Sequence, residues 1–171
     1  MWIQNVSLAD IAKGHHVRID ENSMLIQIVD PDMIFPKPLY KFKEVHQFEF
    51  LDLEEHDQYG KEFKITDAQA EKLVRLLEHA LSSKMDVVVH CVAGICRSGA
   101  VCEVGVMMGF QDTDAYRSPN LMVKHKMMRV LGVAYDENEP YTENGTPFSY
   151  NDMNVKVPWE KTESGLFIPP K

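Results

Sequence analysis

Val87-Val88-Val89-His90-Cys91-Val92-Ala93-Gly94-Ile95-Cys96-Arg97-Ser98-Gly99 is the stretch that decides how this 171-residue chain is read. The β-branched run from Asp86 to His90 is short, continuous and apolar, as in a strand buried within a parallel sheet. Ala100 to Met108 then reads as a helix of small and apolar residues, and Gly105 inside it predicts close packing against a neighbour. A strand, a loop and a helix in that order deliver Cys91 to the carboxyl edge of a sheet. There the backbone N–H groups of Val92, Ala93, Gly94, Ile95, Cys96 and Arg97 can turn inward as a nest, and the helix points its positive end at whatever is bound. That field favours the thiolate form of Cys91. The planar fork of Arg97 matches two phosphate oxygens. The stretch therefore predicts a phosphate ester attacked by sulfur.

Working outward, Ser7 to Asp10 followed by Gly14 reads as a short capped helix. Met24 to Val29 is a strand stopped by Asp30-Pro31, and residues 31–40, with three prolines, form a loop. A second strand fits Val45 to Leu53, after which the polar stretch 54–64 crosses the surface. Thr66 and Gln69 form a capping box, and Leu73, Leu76, Leu77, Ala80 and Leu81 behind them recur at helical spacing to about Ser82. Asp86 to His90 is then the third strand. Ser118 as N-cap with Pro119 at the first helical position opens a last helix, stopped by Gly132. The expected architecture is a single α/β domain over residues 1–133, a mainly parallel central sheet flanked by helices. Residues 134–171, rich in Pro, Asn, Glu and Thr, read as an irregular extension packed on the domain, with Phe148, Trp159 and Phe167 as anchors.

Bulk properties narrow the function. The net charge of −8 argues against nucleic acid as a partner and requires any phosphorylated ligand to find a local positive site. The only other basic cluster, Lys124, His125, Lys126 and Arg129, reads as a solvated helix face. No apolar run is long enough to span a membrane, and Met1 to Asn5 shows no basic region leading into an apolar core, so neither a membrane span nor secretion is expected. Three cysteines in no framework pattern suggest a reducing compartment, the cytoplasm. His90, Cys91, Cys96 and Cys102 match no zinc spacing, so neither metal nor other cofactor is expected.

A given cysteine acquires His before it, Gly at +3, Arg at +6 and Ser or Thr at +7 by chance at roughly 1 in 10⁵. The segment resembles the His-Cys-x5-Arg-Ser/Thr loop of the cysteine-dependent protein tyrosine phosphatase superfamily, in particular small bacterial and phage enzymes related to the dual-specificity group. The resemblance covers about residues 24–133 and implies a cytoplasmic enzyme of a bacterium or a phage-infected host. It implies a phosphorylated protein or peptide as substrate: phosphotyrosine, and by extension phosphoserine or phosphothreonine. It also implies that Ser98 donates to the Cys91 sulfur, its plainer role being to cap the helix, and that His90 is buried against backbone near the loop. Ser118 to Val123 resembles the Pro-Asn element that buttresses the loop in dual-specificity relatives, which places Asn120 in support.

A cysteine phosphatase needs a carboxyl group to protonate the leaving oxygen and later to activate water. Phe48 to Glu54 resembles the Leu-x-Phe-Asp-Asp-Val segment of the small phosphatases, whose second Asp, the acid, falls on Asp52; the first is Leu51 here. Asp57 competes, because dual-specificity enzymes place their acid at a similar distance before the Cys, and Glu54 and Glu55 are weaker candidates. Cys91-x4-Cys96-Arg97-Ser98 also resembles the low-molecular-weight tyrosine phosphatase loop, which implies either a protective Cys91–Cys96 disulfide or a Cys96 that merely fills space. Two other readings remain. One is a non-catalytic phosphate-binding relative; the other is the same chemistry on a small phosphorylated metabolite or an RNA 5′ end. Oligomeric state is not legible.

Overall fold

The computed structural model describes residues 1–133 and, beyond them, two short paired strands, Glu160–Lys161 and Phe167–Ile168. The expected extension, with its proposed aromatic anchors, otherwise lies outside the described residues. Residues 1–133 form an α/β domain around five parallel strands: β1 (Trp2–Ser7), β2 (Ser23–Val29), β3 (Glu44–Glu49), β4 (Asp86–Cys91) and β5 (Gln111–Asp112), in the order β3-β2-β4-β1-β5. The expected α/β class and parallel sheet are therefore observed.

Side-chain alternation sends the strands' apolar residues to two cores. Val87 and Val89, with Ile3, Met24, Ile26 and Ile28, face the larger one, which α2 (Asp67–Ser82), α3 (Arg97–Met108) and α4 (Leu121–Val130) close. Val88, Leu25, Trp2 and Val6 face the smaller one, covered by Ile11 of α1 (Leu8–Lys13) and by Phe42. Leu73 and Leu77 of α2 are wholly buried, each contributing about 2 kcal/mol through removal from water.

The capping signals for α1 and α2 are realised as boxes on Ser7–Asp10 and Thr66–Gln69, and Gly14 closes α1 in the left-handed conformation. A Cβ on Gly105 would lie 2.6 Å from Ile3 Cδ1, so the expected close packing there is observed.

Four expectations need correction. The first is β1, absent from the sequence reading, which lies beside the cysteine-bearing strand with Ser7 opposite Cys91. Polar Gln4 and Asn5 interrupt its apolar pattern. The second is the strand placed at 45–53, which ends at Glu49; Leu51 N–H then donates to the Phe63 carbonyl instead. The third is α4, whose cap is Asn120 rather than Ser118; its side chain accepts from Val123 N. The fourth is the basic cluster. Lys124 is only 2% exposed and lies 2.6 Å from Glu103, and Lys126 pairs with Asp67. Lys124 thus turns inward to a buried carboxylate, whereas Arg129 stays exposed as expected.

Candidate active site

β4 ends at Cys91, and the chain enters α3 six residues later at Arg97, three residues earlier than the composition predicts. Cys96 is the N-cap residue of α3, so Ser98 lies inside the first helical turn and does not cap it. Its hydroxyl instead lies 3.2 Å from Cys91 Sγ. On the other side, Gly94 N–H donates to the same sulfur at 3.2 Å. The sulfur thus sits between a hydroxyl and a peptide N–H at the positive end of a 12-residue helix. Val92 and Ala93 are exposed and Ile95 and Cys96 partly so, whereas Cys91, Arg97 and Ser98 are buried.

The loop leans on β1 and on the first residue of α1. Leu8 N–H donates to the Val92 carbonyl, and Asn5 Nδ2 donates to the carbonyls of Gly94 (2.8 Å) and Tyr116 (2.9 Å). Asn5 is a supporting residue that sequence reasoning missed. Its signal was a polar residue buried within a strand, legible only once β1 is recognised.

Arg97 is 4% exposed. Its Nη1 donates to Asp30 Oδ1 at 2.6 Å and to the Phe50 carbonyl at 2.7 Å. Nε is buried with no hydrogen-bond partner. A guanidinium carries five N–H donors, and a buried one left unmade costs about 1–3 kcal/mol.

Opposite β1, the loop meets the segment after β3. Asn120 N–H donates to the Cys96 carbonyl at 3.0 Å, while its side chain donates to Asp52 Oδ1 (2.8 Å) and the Leu53 carbonyl (3.0 Å). Asp52 is exposed, yet its carboxylate also accepts from the Cys96 thiol. Burial first, and that neighbouring carboxylate second, push the Cys96 thiol up to about 11. Asp57 is committed differently. Its carboxylate accepts from Glu54 N–H at 2.7 Å and closes the 54–57 turn. Glu54 accepts from Leu121 and Met122 N–H, capping α4. The structure therefore brings Asp52, Asn120, Cys96, Arg97, Ser98 and Cys91 together, with Asp57 and Glu54 bound up in backbone.

His90 is fully buried, with Nδ1 donating to the Cys91 carbonyl at 3.3 Å and Nε2 unpartnered. Burial, with the Arg97 charge adding to it, pushes its pKa down to about 4. The folded ring stays neutral while an unfolded one, near 6.5, takes up a proton. Between those values the unfolded chain binds more protons, so stability present above pH 6.5 is lost as pH falls toward 4. Urea unfolding is expected to show His90→Asn losing less stability than wild type between pH 7 and 4.5. The difference is on the order of 2 kcal/mol.

Residues 62–108, which contain α2, β4, the loop and α3, match the family model described as Tc-R-P: polymorphic toxin system, DSP-PTPase phosphatase. No curated protein matches the sequence significantly. Among solved structures the chain is similar to a mouse candidate dual specificity phosphatase complexed with zinc tungstate, at 18% identity and TM-score 0.44, over 64% of this chain and 69% of that one. It is also similar to OH1 from the Orf virus, described as a tyrosine phosphatase with triple substrate specificity, at 18% identity and TM-score 0.41, over 62% and 55%. Human DUSP28 follows, at 16% identity and TM-score 0.42, over 79% and 82%. The chain spans only about half of the Orf virus protein. The family match is placed on the cysteine loop itself and covers less than a third of the chain.

Proposed function

We propose that the protein hydrolyses phosphomonoesters, phosphotyrosine in peptides or proteins first among them, through a cysteinyl-phosphate. The observation that carries this reading is the pairing of a sulfur held at 3.2 Å by Ser98 and Gly94 with a buried arginine whose Nε has no partner. The Nε–Nη2 edge of Arg97 and the loop amides would hold three phosphoryl oxygens. Cys91 would attack phosphorus as the thiolate while the bond to the leaving oxygen breaks. Asp52, held at the loop by Asn120, would give that oxygen its proton. The carboxylate so formed would take a proton from water as the water attacks phosphorus. Sulfur then leaves, steadied by the Ser98 hydroxyl, and inorganic phosphate is released. No step calls for a metal or cofactor, and a reducing cytoplasm suits the free thiolate.

Cys96 fits as the thiol that steadies Asp52. As a redox partner for Cys91 it would be slow at neutral pH, since a thiol pushed up to about 11 is almost wholly protonated there.

The acid assignment separates by leaving group. Asp52→Asn is expected to lower turnover of a phosphotyrosine peptide by about 10²–10³-fold. p-Nitrophenyl phosphate, whose leaving group needs little protonation, is expected to lose less than about tenfold. Unchanged peptide turnover would move the role to Asp57 or elsewhere. If the wild-type protein binds phosphate but hydrolyses neither substrate, it is a phosphate-binding module.

A further inference from the structure

Arg97 is buried, yet its position is set from outside the loop that carries it. One nitrogen, Nη1, uses its two hydrogens on two other strands' ends: Asp30, directly after β2, and the Phe50 carbonyl, just after β3. These two points fix the plane of the guanidinium and leave Nε on the opposite edge, buried and unpartnered. A carbonyl cannot neutralise a cation. Among the described residues Asp30, at 2.6 Å, is the only carboxylate within ion-pair distance of Arg97. The backbone holds that carboxylate in place, because the Asp30 carbonyl accepts from Met33 N–H in the turn that follows β2.

We propose that Asp30 is a positioning residue for oxyanion binding, acting through Arg97: its carboxylate holds the guanidinium so that the Nε edge meets the phosphoryl oxygens. Asp30 does not touch the substrate. Its charge lies beyond the guanidinium from the anion, so two effects of its loss oppose one another. Removing a carboxylate raises the positive potential at the site. It also releases Arg97 from its anchor, leaving a buried cation that must swing toward solvent or toward another acceptor. A charge-assisted bond at 2.6 Å is among the stronger hydrogen bonds a protein makes, whereas a carboxylate separated from the anion by an intervening cation, and partly open to water, repels it weakly. Loss of orientation wins.

The activity side of this inference rests on the proposed phosphatase function, but its test does not need turnover. Titration of the ¹⁵N-labelled protein with inorganic phosphate, read at the Gly94 amide and the Arg97 Nε–H, reports anion binding and guanidinium order together. Asp30→Ala is expected to weaken phosphate about tenfold or more and to broaden the Arg97 Nε–H signal even at saturation. Asp30→Glu, which can remake the ion pair, is expected to recover part of both. Phosphate affinity within about twofold of wild type with an unchanged Nε–H signal would overturn the proposal. So would weakened binding accompanied by a displaced Gly94 amide in the phosphate-free variant, because the loop itself would then have collapsed. A wild-type protein that binds phosphate without hydrolysing esters would sink the enzymatic reading and leave the role of Asp30 standing or falling on its own.

Discussion

Cys91→Ser is expected to abolish hydrolysis of p-nitrophenyl phosphate, with a loss of at least about 10⁴-fold, while oxyanion binding survives. The reason lies in what the loop supplies and what it does not. Gly94 N–H, the Ser98 hydroxyl and the end of α3 stabilise an anion at the position of the sulfur. They can hold a thiolate, but a serine hydroxyl there stays protonated at neutral pH and has no adjacent base to take its proton. His90, one residue away, is neutral but points Nδ1 at the Cys91 carbonyl, so it does not serve. The substitution leaves the N–H and guanidinium donors of the cradle in place. Phosphate affinity measured by calorimetry is therefore expected to stay within about threefold of wild type. Retained turnover would take the nucleophile's role from Cys91. Loss of turnover together with loss of phosphate binding would mean that the serine had broken the loop.

The loop and its setting were legible because each depends on residues close together in sequence. A strand of valines, a seven-residue spacing and a helix of small residues are local signals, and so are the capping boxes at Ser7 and Thr66. Asp30 and Asn5, which hold the loop and its arginine in shape, were not legible, because they act across the chain. Asp30 meets Arg97 from 67 positions away and Asn5 meets Gly94 from 89, whereas Asn120, which meets Asp52 from 68, was reached through the family resemblance alone. β1 was hidden for a related reason. Asn5 interrupts the apolar pattern of β1 because its amide is needed by Gly94 and Tyr116, so the support it gives the loop obscured the strand itself. Lys124 shows the same limit from the other side. A run of basic residues reads as solvated until Glu103, on a neighbouring helix, is found at 2.6 Å.

Gly94 combines both levels, and its replacement by alanine is expected to be the most damaging single change in the loop that removes no reactive group. Its φ is +74°, a conformation that costs an alanine about 1–2 kcal/mol. The space is closed as well. A Cβ would lie 2.4 Å from Ser7 N, 2.4 Å from the Val6 carbonyl carbon and 2.6 Å from its oxygen. These are backbone atoms of β1, paired with β4 through Val6–His90 and Ser7–Cys91, so they cannot yield without opening the sheet beside Cys91. The loop must move instead. That movement would withdraw the Gly94 N–H from Cys91 Sγ and its carbonyl from Asn5. Strain and lost contacts together are expected to destabilise the fold by about 3 kcal/mol and lower the melting temperature by about 10 °C. Turnover at a temperature where the variant remains folded is expected to fall by at least about 10²-fold, with phosphate affinity falling alongside it. An alanine variant that melts with wild type and keeps its activity would show that the left-handed turn and its contact with β1 do not shape the site.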